Sequence, residues 1–509
     1  MLSKTNSTGL IGIDGYKVCV EVDIGNGMPA FDVVGLPDTA VKESRERVRA
    51  ALKNCGFKFP AKRITVNLAP ANIKKAGAIY DLPICMGLLV SSEQLCADLG
   101  DFAFIGEIAL SGDLRPVEGA LPMAISAYDA GIKNIILPLD NAPEAAVVKG
   151  LNVYGASSLT DIVAHFTTEN KLQKTEIDID EIFKKQSETT LDFADVKGQE
   201  NAKFALEIAA AGGHNCLLIG SPGSGKSMLS KRLPSILPSL SFEEALEVTK
   251  VHSIAGLIPS DTSLITTRPF RSPHHTISAV GLSGGGTFPR PGEISLAHNG
   301  VLFLDEFPEF RKDALEVLRQ PLEDGVVTIA RVNATLTYPS NTMLIAAMNP
   351  CKCGYYGDGT NRCTCSEGQI RQYLGKISGP LLDRIDLHIE VPAVKYDELT
   401  DRAPAESSAE IKKRVERARE IQKERFQHDR GVYCNAQMTE KMVADYCALG
   451  EAEVAVLKQA FDNLGLSARA HNRILKVART IADLKESKDI KVEHLAQAIY
   501  FRSLDRKYW

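Results

Sequence analysis

The sequence predicts an α/β protein in about three parts: an α/β domain, a second α/β domain built on a parallel sheet, and a small α-helical domain at the end of the chain. Three observations predict it. Short apolar or β-branched runs alternate with amphipathic stretches up to about residue 394. A G-x-x-x-x-G-K-S motif at 220–227 stands between an apolar run and a helical one. Beyond residue 400 apolar residues recur at three- and four-residue spacing. At 509 residues the chain exceeds what one hydrophobic core serves.

The first part, residues 1–167, holds the runs TVNL (65–68) and NIILP (134–138) and the helical stretch AVKESRERVRAALKNCG (40–56). Residues 168–192 are polar and charged with little apolar periodicity, and read as a linker. The second part, 193–398, carries strands at CLLIG (216–220), VLFLDE (301–306) and MLIAAMNP (343–350). Their continuous apolar character is that of strands covered on both faces. Residues 399–509 form the helical part, with IKKRVERAREIQKERF, EVAVLKQAFDNLG and RILKVARTIADLKES as its helices.

Composition sets the class. Apolar residues make up 44% and charged residues 24%, ordinary globular values that exclude a fibrous or largely disordered chain. The net charge of −5 draws no polyanion by itself, so any nucleic-acid contact needs a local basic surface. No run of about 18 apolar residues is present and the N-terminus has no apolar signal segment, so a cytoplasmic location without membrane contact is expected. Eleven cysteines, an odd number, argue against a disulfide framework.

Gly220, Ser221, Pro222, Gly223, Ser224, Gly225, Lys226 and Ser227 form the phosphate loop expected to cradle ATP. Its glycines let backbone N–H groups turn toward phosphate oxygens, and the following helix adds its positive end. Lys226 is expected at the β- and γ-phosphates and Ser227 on Mg²⁺. VLFLDE supplies the carboxylates: Asp305 to hold Mg²⁺ through water and Glu306 to polarise the attacking water. The alternative is a pair of helix N-terminal carboxylates ahead of PEFRKDALEVLRQ.

The order of phosphate loop, LDE strand, apolar strand ending in Asn349, LLDRID and then SAR opening a helix resembles the magnesium-chelatase-like branch of AAA+ ATPases. The resemblance implies that Asn349 orients the water as sensor 1. It also implies that Arg384 reaches the neighbouring subunit's γ-phosphate and that Arg469 is the lid arginine. An arginine supplied in trans is worth about 10³ to 10⁵ in rate, and requires an oligomer. An ion pair of Arg384 with Asp383 or Asp386 is the competing reading, and Arg473 could take the place of Arg469. Asp195 to Glu200, DVKGQE, is similar to the segment that closes over the adenine.

Two insertions stand out. Residues 268–300 combine Arg268, Arg271, His274, His275 and Arg290 with three consecutive glycines, and 325–339 read as a hairpin with Arg331 near its turn. In the branch that the chain resembles, both point into the pore of the ring. Such loops suit a phosphate backbone, unless their arginines are solvated or paired. Cys351, Cys353, Cys363 and Cys365 lie within fifteen residues and fit a structural Zn²⁺ site, with a redox-sensitive thiol cluster or a reduced loop as alternatives.

TVNLAPANIKKAGAIYDLPICMGLL and GEIALSGDLRPVEGALPMAI resemble the Lon-protease-type (ribosomal S5 domain 2-like) fold, but Lys75-Ala-Gly77 is followed by Ala78, Ile79 and Tyr80 in place of a serine, and 119–123 contain no lysine to serve as the base, so proteolysis is not expected. A dyad-less Lon-like domain joined to a chelatase-like ATPase with a cysteine loop resembles the YifB/ComM family over almost the whole chain. That resemblance implies a homo-hexameric ATPase acting on branched or single-stranded DNA, a branch-migration helicase in recombination and natural transformation. The alternatives are a chelatase-type motor that remodels a protein partner and a nucleotide-gated scaffold.

Overall fold

The described residues of the computed structural model are 2–184, 191–259, 262–286, 289–331, 334–359, 362–394, 405–429, 431–464, 468–502, 504 and 508. Part of the expected linker, the tip of the second insertion, Ser467 of SAR and the boundary near residue 398 lie outside them. Two compact units emerge: Met1–Gln186 with Ala245–Thr266, and Ser187–Glu244 with Thr267–Trp509.

In the first unit the strands are β1 (Leu2–Ile11), β2 (Asp14–Gly25), β3 (Ala30–Val34), β4 (Arg63–Ala69), β5 (Phe102–Phe104), β6 (Glu107–Ile108), β7 (Leu114–Arg115), β8 (Asn134–Pro138) and β9 (Asn152–Ala156). All but β6 and β7 form one mixed sheet in the order β3-β4-β2-β1-β5-β8-β9. β1 and β2 pair antiparallel from Leu2↔Asp23 to Ile11↔Asp14, and β4 alternates buried Ile64, Val66 and Leu68 with less buried neighbours, the pattern of a half-covered strand. Lys75 is fully buried and its Nζ donates to the carbonyls of Pro70 and Ile73.

In the second unit the strands are β10 (Cys216–Ile219), β11 (Phe270–Arg271), β12 (Gly284–Gly285), β13 (Arg290–Pro291), β14 (Val301–Leu304), β15 (Val326–Arg331), β16 (Ala334–Pro339), β17 (Met343–Met348) and β18 (Leu387–Glu390). A five-stranded parallel sheet runs β11-β14-β17-β10-β18, and every residue of β10, β14 and β17 is buried, as their unbroken apolar sequence requires. β12–β13 and β15–β16 are separate antiparallel ribbons, so the expected hairpin forms, with Arg331 opposite Ala334.

The C-terminal segment is helical, over Ser408–Arg425, Glu440–Tyr446, Glu451–Leu464, Ala468–Leu484 and Val492–Tyr500. It does not stand apart as a compact unit: Val415, Ala418, Ile474 and Ile481 are buried in one cluster with Ala205, Ile208 and Phe303 of the sheet and its covering helix. Boundaries drawn from pattern alone also missed Ala245–Thr266, which belongs with the first unit. There Gly119 N donates to Ser253 O at 3.1 Å, and the buried Glu144 carboxylate accepts from Leu121 N at 2.9 Å and from the Ser253 hydroxyl. Among the described residues no helix is long and apolar enough to cross a membrane.

Candidate nucleotide site and cysteine cluster

In a parallel sheet, ligand groups gather beyond the carboxyl ends of the strands. Here Gly220 follows β10, Asp305 follows β14 and Asn349 follows β17, three adjacent strands. Gly223 and Gly225 have φ of +78° and +91°, backbone that favours glycine, and turn the chain into the helix Lys226–Arg232. At Gly220 a Cβ would lie 2.2 Å from Val391 O, so the loop also needs glycine for close approach. Lys226 Nζ donates to Gly220 O at 2.8 Å, to Ser221 O at 2.9 Å and to Asn349 Oδ1 at 3.2 Å. Burial lowers its pKa, with Asp305 acting the other way. Gln199, at a φ of +63°, donates to Ser224 O at 3.3 Å and to Pro392 O at 2.5 Å, so the DVKGQE segment lies on the same loop.

The two carboxylates diverge. Asp305 Oδ2 accepts from Ser227 Oγ at 2.5 Å, joining the pair expected to share Mg²⁺. Glu306 has a φ of +53°, and its Oε2 lies 3.0 Å from His275 Nδ1. Phosphate loop, Ser227, Asp305 and Asn349 are thus brought together as expected. A glycine-turned loop at the start of a helix, a buried ammonium and a hydroxyl–carboxylate pair fit Mg²⁺-ATP chemically.

The arginines are elsewhere. Asn215, which precedes β10, donates from Nδ2 to Arg384 O at 2.9 Å and accepts from Asp386 N at 3.0 Å. Arg384 therefore stands at the amino end of a strand whose other end, about 13 Å away, begins the phosphate loop. Its guanidinium pairs with Glu323 and donates to Pro380 O at 2.6 Å; neither Asp383 nor Asp386 is its partner. Asp386 is instead taken by Arg473 at 2.5 Å, with His214 at 3.4 Å and Asn215 N at 3.1 Å. Arg469, exposed, and Arg473 line a cavity of about 510 Å³ with Glu323 and Asp386. The structure does not bring Arg384 or Arg469 to the chain's own phosphate loop.

The chain matches the family model "Magnesium chelatase, subunit ChlI" over residues 192–399, "Subunit ChlI of Mg-chelatase" over 20–141 and "Magnesium chelatase, subunit ChlI C-terminal" over 405–502. It is 45% identical to competence protein ComM of Haemophilus influenzae over 98% of this chain and 97% of that one. The chain belongs to the YifB/ComM family of magnesium-chelatase-like AAA+ ATPases. The protein YifB of Escherichia coli is 44% identical over 99% of this chain and 98% of its own. The magnesium-chelatase 38 kDa subunit of Rhodobacter capsulatus is 24% identical over 39% of this chain and 55% of that protein. Membership of the YifB/ComM family implies an ATPase that uses ATP and Mg²⁺.

This YifB/ComM-family chain also brings four thiols together. The Sγ atoms of Cys351, Cys353, Cys363 and Cys365 all lie within 4.8 Å of one another, with 3.3 Å between Cys351 and Cys353 and 3.6 Å between Cys353 and Cys363. Tetrahedral Zn–S bonds of about 2.3 Å place sulfurs about 3.8 Å apart, so the set fits zinc. Burial opposes charging Cys353, but the N–H groups of Tyr355 and Thr364 aim at it and, with Cys351 and Cys365, bring it down to about 6. The cluster is joined to the phosphate loop: a Cβ at Gly354, whose φ is +90°, would lie 2.5 Å from Pro222 Cδ.

Two expected substrate-facing arginines are structural. Arg268 is held by Glu244 at 3.0 Å and donates to Pro238 O and Asn299 O, and Arg271 forms a two-pronged pair with Glu293 at 2.6 and 2.7 Å. Arg268 meets a carboxylate outside the insertion and Arg271 one within it but 22 residues on, pairings that the order of charges does not disclose. Sequence reasoning also missed Glu323 and the contact of His275 with Glu306; the position of the histidine pair just after a strand of the parallel sheet was the available signal.

Proposed function

We propose that the protein is a ring-forming motor, a homo-hexamer in the cytoplasm, in which ATP hydrolysis drives movement on or remodelling of branched or single-stranded DNA. The specific form is a branch-migration helicase acting in recombination and uptake of transforming DNA. The observation that carries this reading is the separation of Arg384 from its own phosphate loop by the length of β10. An arginine placed so can serve another subunit's phosphates once it leaves Glu323, which makes the site complete only in an oligomer. The 45% identity to a protein named for competence supplies the link to DNA.

In this reading Lys226 and the loop N–H groups hold the phosphates, and Ser227 and Asp305 hold Mg²⁺, which when bound neutralises charge on the transferring phosphoryl group. Glu306 takes the proton side of the attacking water and Asn349, fixed by Lys226 Nζ at 3.2 Å, orients it. Arg384 and Arg469 act on the neighbour's nucleotide. The cysteine cluster holds a structural Zn²⁺. The ribbon β12–β13 and the hairpin β15–β16 grip the substrate, with the exposed Arg290 on the first and the exposed His274 in the segment between β11 and that ribbon.

Steady-state ATP hydrolysis with and without forked or four-way-junction DNA, beside Glu306→Gln, tests this. Stimulation that the variant abolishes is the expected result. A rate unchanged by every DNA structure overturns the DNA reading and favours the protein-remodelling motor, to which the names of the matched family models point. Slow turnover unaffected by DNA or by a protein partner is the outcome for a nucleotide-gated scaffold.

A further inference from the structure

Between Lys42 and Arg63 the chain carries eight lysines and arginines against two glutamates, a surplus of six positive charges in a protein whose net charge is −5. The segment runs from the helix Ser44–Asn54 through a loop into β4. The helix is sorted by its sequence: Val48, Ala51 and Leu52 are buried, while Arg45, Arg49 and Lys53, each four residues from the next, are exposed. Side chains at that spacing share a face, so the three form a stripe about 12 Å long at about 1.5 Å per residue.

The loop extends this basic face. The Arg49 guanidinium lies over the Phe59 ring, 5.9 Å from its centroid, and Phe59 meets Phe31 of β3 at 6.2 Å. Lys58 is exposed, yet its backbone is held by the Gln94 amide, which accepts from Lys58 N at 2.7 Å and donates to Lys58 O at 2.8 Å. Lys42 and Arg63, the two ends of the segment, line one cavity of about 560 Å³ with Phe31 and Val33.

Most of these charges have no counter-ion. Among the described residues, Lys42, Arg49, Lys53, Lys58 and Lys62 form no ion pair. Arg47 is the exception that serves the core, bound to the buried Asp81 at 2.6 Å. Arg45 with Glu46 and Arg63 with Asp32 are exposed pairs at 3.4 Å, and such pairs are weak.

A line of guanidinium and ammonium groups suits a linear polyanion. From Lys42 to Arg63 no large apolar side chain is exposed, so the face lacks the apolar anchor that protein interfaces place at their centre. The apolar side of the helix is turned into the core, which keeps it from lying in a lipid surface. Contacts to phosphate need neither feature. We propose that this face of the first unit is a nucleic-acid contact of its own, which holds the phosphate backbone of DNA without reading its sequence. The identity of the polymer rests on the DNA reading above, whereas the patch itself involves neither insertion of the second unit.

Anisotropy of a fluorescent duplex oligonucleotide tests it, with the full chain and no ATP, for the parent and for Arg45→Gln/Arg49→Gln/Lys53→Gln. The three positions are exposed and glutamine is a good helix former, so melting temperature and basal ATPase rate should stay as in the parent. Each phosphate contact contributes about 0.9 to the slope of log affinity against log salt. The triple variant should therefore show a slope shallower by about two to three and bind about 10²-fold more weakly near 0.1 M salt, equally for two unrelated sequences. Arg45→Lys/Arg49→Lys, which keeps the charge, and Lys133→Gln, at an exposed lysine of the same unit outside the patch, should bind as the parent does. An affinity and slope unchanged in the triple variant overturn the proposal, and leave the motor reading standing if DNA still stimulates hydrolysis. Weakened binding in that variant, with a parent ATPase rate that no DNA changes, supports the patch and overturns the motor. A triple variant that keeps its affinity for the duplex but loses affinity for polyglutamate assigns the face to an acidic protein and overturns the proposal, as does a parent that binds no duplex.

Discussion

Glu323 holds Arg384. The carboxylate belongs to a short helical turn, Pro321–Asp324, that leads through Gly325 directly into the hairpin β15–β16. The arginine side chain is 10% exposed and the glutamate side chain 51%, so the lock is reached from the carboxylate side. If Arg384 serves a neighbour, Arg384→Ala subunits should bind ATP yet hydrolyse it about 10³-fold more slowly. Mixing them with Lys226→Ala subunits, which keep their arginine, should restore part of the activity. Failure of every mixing ratio to do so would place Arg384 outside the neighbour's site.

Lys226 and Glu306 should separate binding from chemistry. Lys226→Ala is expected to lose binding of a fluorescent ATP analogue, because its ammonium is the buried cation of the loop. Glu306→Gln should bind that analogue normally and turn over about 10²- to 10⁴-fold more slowly, the usual contribution of a positioned base.

The cysteine loop should report on the phosphate loop. Elemental analysis of the purified protein is expected to find one zinc per chain, and Cys353→Ser to lose it. Because Gly354 packs on Pro222, the same variant should bind ATP several-fold more weakly. Zinc loss with unchanged ATP affinity would uncouple the two loops.

Asp386 makes stability depend on acid. Burial works against its charge, but Arg473 and His214 outweigh burial and hold the carboxyl well below the usual carboxylate range. A depressed pKa contributes stability that is present above the unfolded value of about 3.9 and is lost as pH falls below it toward the folded value. Denaturant titrations should therefore show stability declining below about pH 4, with a shallower decline in Asp386→Asn. Arg473→Ala, which leaves the buried carboxylate to His214 and Asn215 N, should cost about 1.5 to 3 kcal/mol at neutral pH, the worth of a hydrogen bond to a charged group.

The phosphate loop and the strands around it were legible because their signals are local. A buried parallel strand is a run of apolar residues, as in VLFL, and a phosphate loop is a fixed spacing of glycines with lysine. The four cysteines were legible for the same reason. What stayed hidden depends on residues far apart in the chain: Arg384 with Glu323, Arg268 with Glu244, His275 with Glu306 and Gly354 with Pro222. Charge pattern counts the arginines of an insertion but does not say which already have a carboxylate.

The allegiance of Ala245–Thr266 to the first unit has a practical side for anyone who cuts the gene. The polypeptide passes between the units three times, so no single contiguous fragment contains either of them whole without also carrying part of the other. A truncation starting at Phe193 keeps Val248, Val251 and Ile254 but discards the fold in which they are buried. Such a piece would present a sticky apolar helix face to its own copies, and its aggregation would say nothing about whether the ATPase works without its leading domain.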